Sequence, residues 1–204
     1  MLTLRLGVLL SGSGTTLQNL IDRSQKGEPY TISVVIGSKP DAYGLARARQ
    51  ANIPAVCIPR KDSPSTDAYN EALWQEIRKH DVSHVVLAGF MHMLRVPEDF
   101  LHKIVNIHPA LLPAFGGKGM YGIHVHEAVL EYGAKVTGCT VHFVDEQYDT
   151  GPIILQKAVT VREDDTAETL QTRVQEAERE ALPEALRYIA EERVTVEDRR
   201  VHIR

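Results

Sequence analysis

The chain has 204 residues, 43% hydrophobic and 25% charged, with 23 Lys and Arg against 27 Asp and Glu for a formal net charge of −4. That composition excludes disorder and collagen, and a chain this long buries enough surface to need no disulfide scaffold, which two cysteines could not supply anyway. No basic block favours nucleic acid, and the apolar run Leu4–Leu10 is too short for a membrane span or signal peptide, so a cytoplasmic domain is expected.

In chain order, Leu4–Leu10 reads as a buried strand, followed by a helix over about Thr16–Lys26. Ile32–Ile36 is a second strand, with a helix over Ala42–Gln50. Ala55–Ile58 is a third, followed by a helix over Ser65–Lys79 with Ser63 and Pro64 suited to its cap and first turn. His84–Ala88 is a fourth strand. Continuous apolar strands alternating with helices predict parallel βαβ units covered on both faces. The second half reads differently: a short strand at Ile104–Ile107, a helix over Val125–Glu131 and two β-rich runs, Lys135–Val144 and Ile153–Val161. A long helix follows over about Ala167–Glu191, kinked at Pro183, and the tail Arg193–Arg204 suits a hairpin around Glu197-Asp198. The expected class is therefore α/β, a doubly wound and mostly parallel sheet with mixed β structure and a long helix in its C-terminal half. Ligands of such sheets sit beyond the carboxyl ends of the strands.

Four segments there carry chemistry. Ser11-Gly12-Ser13-Gly14-Thr15-Thr16 links the first strand to the first helix, where backbone N–H groups and the helix end favour an anion. It lacks the Lys of a P-loop, and Leu17 occupies the third glycine position of a dinucleotide fingerprint, so a phosphate monoester is the better ligand and a plain tight turn the alternative. In Asn106-Ile107-His108-Pro109, residues two apart on a strand project together, pairing an amide donor with an imidazole for oxyanion stabilisation and proton transfer. Leu112-Pro113 is a candidate cis bond. Asp149, fixed by the Thr150-Gly151-Pro152 that follows, is expected to meet His108 and raise its pKa, whereas Asp145 and Glu146 read as a solvated turn. Gln175 and Glu178, three apart on the long helix, suit a cleft rim. A zinc site built on His124-Val125-His126 with His108 and His142 lacks a second ligand pair at metal spacing, so no metal is expected.

Taken together, Ser11-Gly12-Ser13-Gly14, Leu87-Ala88-Gly89-Phe90-Met91, Asn106 to Pro113, Gly138 to Val144 and Asp149-Thr150-Gly151-Pro152-Ile153-Ile154 resemble the phosphoribosylglycinamide formyltransferase family, over roughly residues 4–190. The resemblance implies a single Rossmann-like formyltransferase domain over 1–204, with a phosphate-binding half at 1–100 and a catalytic and folate-cleft half at 101–204. It implies Asn106, His108 and Asp149 as the catalytic triad and Gly14, Thr15 and Thr16 as the substrate phosphate cradle. It implies Gln175 and Glu178 as substrate contacts, and Thr66, Met91, His92, Met93, Leu94 and Asn106 as the folate site.

The implied reaction passes the formyl group of 10-formyltetrahydrofolate, the cosubstrate, to the amine of glycinamide ribonucleotide in purine synthesis, without a metal. The implied partners are those two small molecules, with no nucleic acid or membrane, in a monomer or homodimer. Three positions depart from the usual pattern: Thr16 for Asn, His92 for Arg and Thr66 for a basic residue. The stretch Gly116–Gly122 is a candidate closing segment or simply a loop. Rivals are formyltetrahydrofolate hydrolysis, whose enzymes carry an extra N-terminal domain expected to be lacking here, methionyl-tRNA formyl transfer, which needs a basic C-terminal domain, and a non-catalytic folate or nucleotide binder.

Overall fold

A computed structural model describes residues 2–204. Its sheet holds β1 (Leu4–Leu10), β2 (Tyr30–Gly37), β3 (Ala55–Cys57), β4 (His84–Leu87), β5 (Ile104–His108), β6 (Val136–Phe143) and β7 (Ile153–Thr160). The order across the sheet is β3-β2-β1-β4-β5-β6-β7, parallel through β5 and antiparallel for the last two. The helices are α1 (Thr15–Ser24), α2 (Tyr43–Gln50), α3 (Thr66–Arg78), α4 (Ile123–Tyr132) and α5 (Ala167–Ala190), and β8 (Val194–Glu197) with β9 (Arg200–Ile203) forms the terminal hairpin.

The alternation of β1 shows why the sheet is covered twice. Leu4, Leu6, Val8 and Leu10 pack with residues of α1, α2, α4 and α5, while Leu9 turns to the other face with Val34, Ile36, Val85, Leu87 and the α3 residues Tyr69, Leu73 and Ile77. The thiol of Cys139 is buried among these side chains, which pushes it up to about 12, and half-buried Cys57 is shifted upward by the same cause.

The predicted elements all form, with ends that differ by one or two residues. Ser65, rather than Ser63, caps α3: its Oγ accepts the Ala68 N–H at 3.0 Å, one turn inside the helix. α5 continues through Pro183, whose missing N–H leaves the Arg179 carbonyl without its helical donor; Asn19 of α1 supplies one instead, at 3.0 Å. Among the described residues no helix is long and apolar enough to cross a membrane.

The chain winds outward from β1 to β3 and then returns to β4, so the crevice opens between the ends of β1 and β4. Ser11 N–H donates to the Gly89 carbonyl across that opening at 3.1 Å, and the buried Ser11 hydroxyl accepts the Met91 N–H and bonds Ser38 at 2.7 Å. The loops that meet at this crevice are thus tied to one another before any ligand arrives.

Two histidines, His126 buried and His84 partly so, give the fold a pH signature. Burial, helped by Lys103 and Arg5, brings His84 down to about 4, and burial with the nearby His108 ring does the same to His126. Each ring binds its proton more readily in the unfolded chain, so its contribution is complete above pH about 6.5 and lost as the pH falls toward 4. Between pH 7 and pH 5 the His126 contribution is expected to fall by about 1–2 kcal/mol and that of part-exposed His84 by less, against an opposite change from the buried Glu178 carboxyl, which is raised to about 7. Denaturant midpoints of the wild type and of His126→Gln at the two pH values isolate the ring, and the same pH dependence in both chains contradicts its contribution.

Candidate active site

Strand pairing assembles the reaction centre. Asn106 and His108 project from one face of β5, and the antiparallel register sets His142 opposite Asn106 and Thr140 opposite His108. The β6–β7 register shifts between Val141 and His142, a bulge beside the centre. Asp149 comes from the β6–β7 connection, in the left-handed region at φ 58°.

The contacts run from 2.8 to 3.4 Å. His108 Nε2 lies 2.8 Å from the Phe115 carbonyl, and its Nδ1 lies 3.4 Å from Asp149 Oδ2. Asp149 Oδ2 also accepts the Gly117 N–H at 2.9 Å, from a residue at φ 96° that only glycine adopts freely. Asn106 Nδ2 is 3.1 Å from His142 Nε2 and 3.4 Å from Asp149 Oδ1, while His142 Nδ1 bonds the Phe143 carbonyl at 2.8 Å. Behind them, Thr140 Oγ1 donates to the Ala110 carbonyl and accepts from Leu112 N–H and from Gln156. This network fixes the exit of β5, where the expected cis Leu112-Pro113 bond occurs.

The expected rise in the His108 pKa is overturned. The ring is only 3% exposed, and desolvation outweighs the attraction of Asp149 and the Phe115 carbonyl, so its pKa is lowered. Burial pushes Asp149 upward, but the His142 and His108 rings and the Gly117 N–H outweigh it, and its carboxyl is held below the usual range. The resting site therefore pairs a neutral imidazole with a carboxylate. Both ring nitrogens nonetheless face acceptors, so the geometry is ready for imidazolium as soon as negative charge appears nearby.

Three cavities meet here. One of about 280 Å³ is lined by Gly14, Thr15 and Thr16 with Gln175, Glu178 and His126. At its far end the Thr15 and Thr16 N–H groups open α1, whose first helical bond runs from Gln18 N–H to the Gly14 carbonyl. Glu178 lies against the cavity wall, where burial raises its carboxyl to about 7. A second cavity, about 360 Å³, is lined by Met91, Asn106, His108, the glycine-rich 117–122 stretch and Asp149. A third, about 60 Å³, is walled by Leu87, Phe90, His92, Met93, Leu94, Asn106, His142 and Asp149.

The structure thus gathers Asn106, His108 and Asp149, sets Gly14, Thr15, Thr16, Gln175 and Glu178 around one cavity, and sets Met91, His92, Met93 and Leu94 around the other two. Thr66 stays apart: its hydroxyl accepts from Arg60 at 3.2 Å, and it lines none of the three. His142 is the residue that sequence reasoning placed only in a rejected zinc set. A polar side chain alternating with Thr140 in an otherwise apolar strand was the available signal. Of the His124–His126 pair, His124 bonds Glu127 at 2.8 Å while His126 is buried, so the two do not converge on one point.

A second tie reaches the Asp149 segment from the far end of the chain. Arg199, at the tip of the β8–β9 hairpin, donates to the Thr150 carbonyl at 2.6 Å.

A family model described as formyl transferase matches residues 4–186. The structure of glycinamide ribonucleotide transformylase 1 from Symbiobacterium toebii superposes with a TM-score of 0.93 at 46% identity, over 98% of this chain and 94% of that one. The phosphoribosylglycinamide formyltransferase of Haemophilus influenzae is 36% identical over 95% of this chain and 91% of its own. The trifunctional purine biosynthetic protein adenosine-3 of Chironomus tentans is 43% identical over 96% of this chain, which spans only 14% of that larger protein.

Proposed function

The chain belongs to the formyl transferase family, and from that premise we propose that it transfers the formyl group of 10-formyltetrahydrofolate to the amine of 5-phosphoribosylglycinamide in purine synthesis. The observation that carries this reading is the central cavity lined by Asn106, His108 and Asp149, which shares Gly89, Ile107, Pro109 and Gly122 with the helix-end cavity and Phe90 and Tyr148 with the apolar one. The cavity with the helix N–H groups suits a ribose phosphate, and the apolar wall of Leu87, Phe90 and Leu94 suits a flat ring.

Asn106 and His108 stand where the two would touch. The neutral amine attacks the formyl carbon, a C–N bond forms, and the former carbonyl oxygen takes the negative charge. Asn106 turns an amide N–H to that oxygen, and His108 becomes protonated as the charge grows, its cation held by Asp149 and the Phe115 carbonyl. The proton that His108 takes up is the surplus amine proton, relayed through water beside the Asp149 carboxylate; as the folate C–N bond breaks, His108 returns it to the departing nitrogen, and the formamide remains. Thr66 has no part in this scheme, and the cosubstrate contacts fall to residues 91–94 and Asn106.

Purified protein mixed with 10-formyltetrahydrofolate is expected to release tetrahydrofolate only when glycinamide ribonucleotide is added. Release without the ribonucleotide means hydrolysis, and no release under either condition means a binding module; both outcomes defeat the proposal.

A further inference from the structure

His126 has no role in the scheme above, and its surroundings make it unusual. It sits one turn into α4, is only 2% exposed, and belongs to the wall of the cavity that holds Gly14, Thr15, Thr16 and Glu178. Among the described residues nothing bonds its Nδ1, which is sealed from solvent. A buried polar atom left without a partner costs stability, and replacing it by an apolar group of similar shape would remove that cost. An imidazole kept at such a place needs a use.

The tautomer follows from the same asymmetry. A buried N–H lacking an acceptor is the rarer and worse defect, so the bare Nδ1 is the lone-pair side and the proton sits on Nε2. The ring remains neutral near pH 7, since burial and the His108 ring disfavour its cation. It therefore offers one uncharged donor and no ionic attraction. The cavity has charged or charge-binding groups at its ends: the α1 N–H groups at one, and the His108 and Asp149 centre beyond Pro109 at the other. An elongated acceptor lying between them presents neutral oxygens to the wall in its middle.

We infer that His126 is a specificity-determining residue, donating an Nε2 hydrogen bond to an uncharged oxygen, a sugar hydroxyl or a carboxamide carbonyl, of the acceptor held in this cavity. The inference rests on the preceding reading of that cavity as the ribonucleotide site. A donor inside a dry wall discriminates strongly, because a ligand lacking the matching oxygen leaves it unpaired. It acts on binding of the middle of the ligand and not on the formyl group, so it governs KM rather than kcat.

Calorimetric titration of the full chain tests this with three probes: glycinamide ribonucleotide, ribose 5-phosphate and inorganic phosphate. His126→Ala is expected to weaken the ribonucleotide by about tenfold, to raise KM by the same factor at nearly unchanged kcat, and to leave inorganic phosphate unaffected. His126→Gln, whose Nε2 reaches a similar point, is expected to recover most of the loss. An equal loss for ribose 5-phosphate assigns the sugar hydroxyl; an intact ribose 5-phosphate affinity assigns the carboxamide, and either supports the inference.

Unchanged ribonucleotide affinity in the alanine variant overturns it. So does an equal loss for all three probes with no recovery by glutamine, which marks a purely structural ring. If alanine prevents folding, His126→Met against His126→Gln makes the same comparison. A wild-type chain that binds inorganic phosphate but not the ribonucleotide refutes the cavity's assignment itself, and this inference falls with it.

Discussion

Replacing His108 with alanine is expected to lower kcat by about 10²–10⁴-fold, the usual worth of a positioned proton-transfer group. The size of the effect follows from the setting. The ring is held at both nitrogens, by the Phe115 carbonyl at 2.8 Å and Asp149 at 3.4 Å, in a place nearly closed to water. A cation site built in advance costs no reorganisation when charge appears, and low local polarity strengthens the attraction between imidazolium and oxyanion. Substrate affinity is expected to change little, because the neutral ring of the free protein makes its strongest contact only as the proton moves to it. Single-turnover formyl transfer separates the two, and an alanine variant that keeps more than about a tenth of the wild-type rate contradicts the assignment.

Replacing Gly151 with alanine is expected to damage fold and activity together. An added Cβ would lie 1.8 Å from the Phe143 carbonyl oxygen and 2.8 Å from its carbon. Both atoms are backbone of β6, and the Phe143 N–H is already bonded to the Pro152 carbonyl, so neither side gives way by turning a side chain. Overpacking in well-packed interiors costs about 1–3 kcal/mol, and a clash between main chains belongs at or above the upper end. Any relief moves the segment two residues from Asp149 and the strand that carries His142. A denaturant midpoint lowered by the equivalent of about 3 kcal/mol, with kcat reduced by more than tenfold, is the expected result. Wild-type stability and turnover would show that the segment moves freely and does not fix Asp149.

The fold was readable because its signals are local. Apolar runs such as Leu4–Leu10 and His84–Leu87 announced buried parallel strands, and the periodic stripe of α5 announced one long helix. The triad was only half readable. Asn106 and His108 share a face through simple alternation, whereas Asp149 stood out only by the Thr150-Gly151-Pro152 that fixes its backbone, which does not say where its loop returns. His142 was missed because its meaning depends on register: only the β5–β6 pairing sets it against Asn106. The His108 pKa went the wrong way for a related reason. Sequence can suggest a neighbouring carboxylate, but the desolvation that outweighs it is a property of the packed interior. Thr66 came from position in a family pattern, and in this chain its hydroxyl is engaged by Arg60.

The hairpin tie has a practical side. Residues 194–203 fall beyond the stretch matched by the family model, yet Arg199 grips the carbonyl next to Asp149. A change at the hairpin tip is therefore expected to be felt in the loop that carries Asp149.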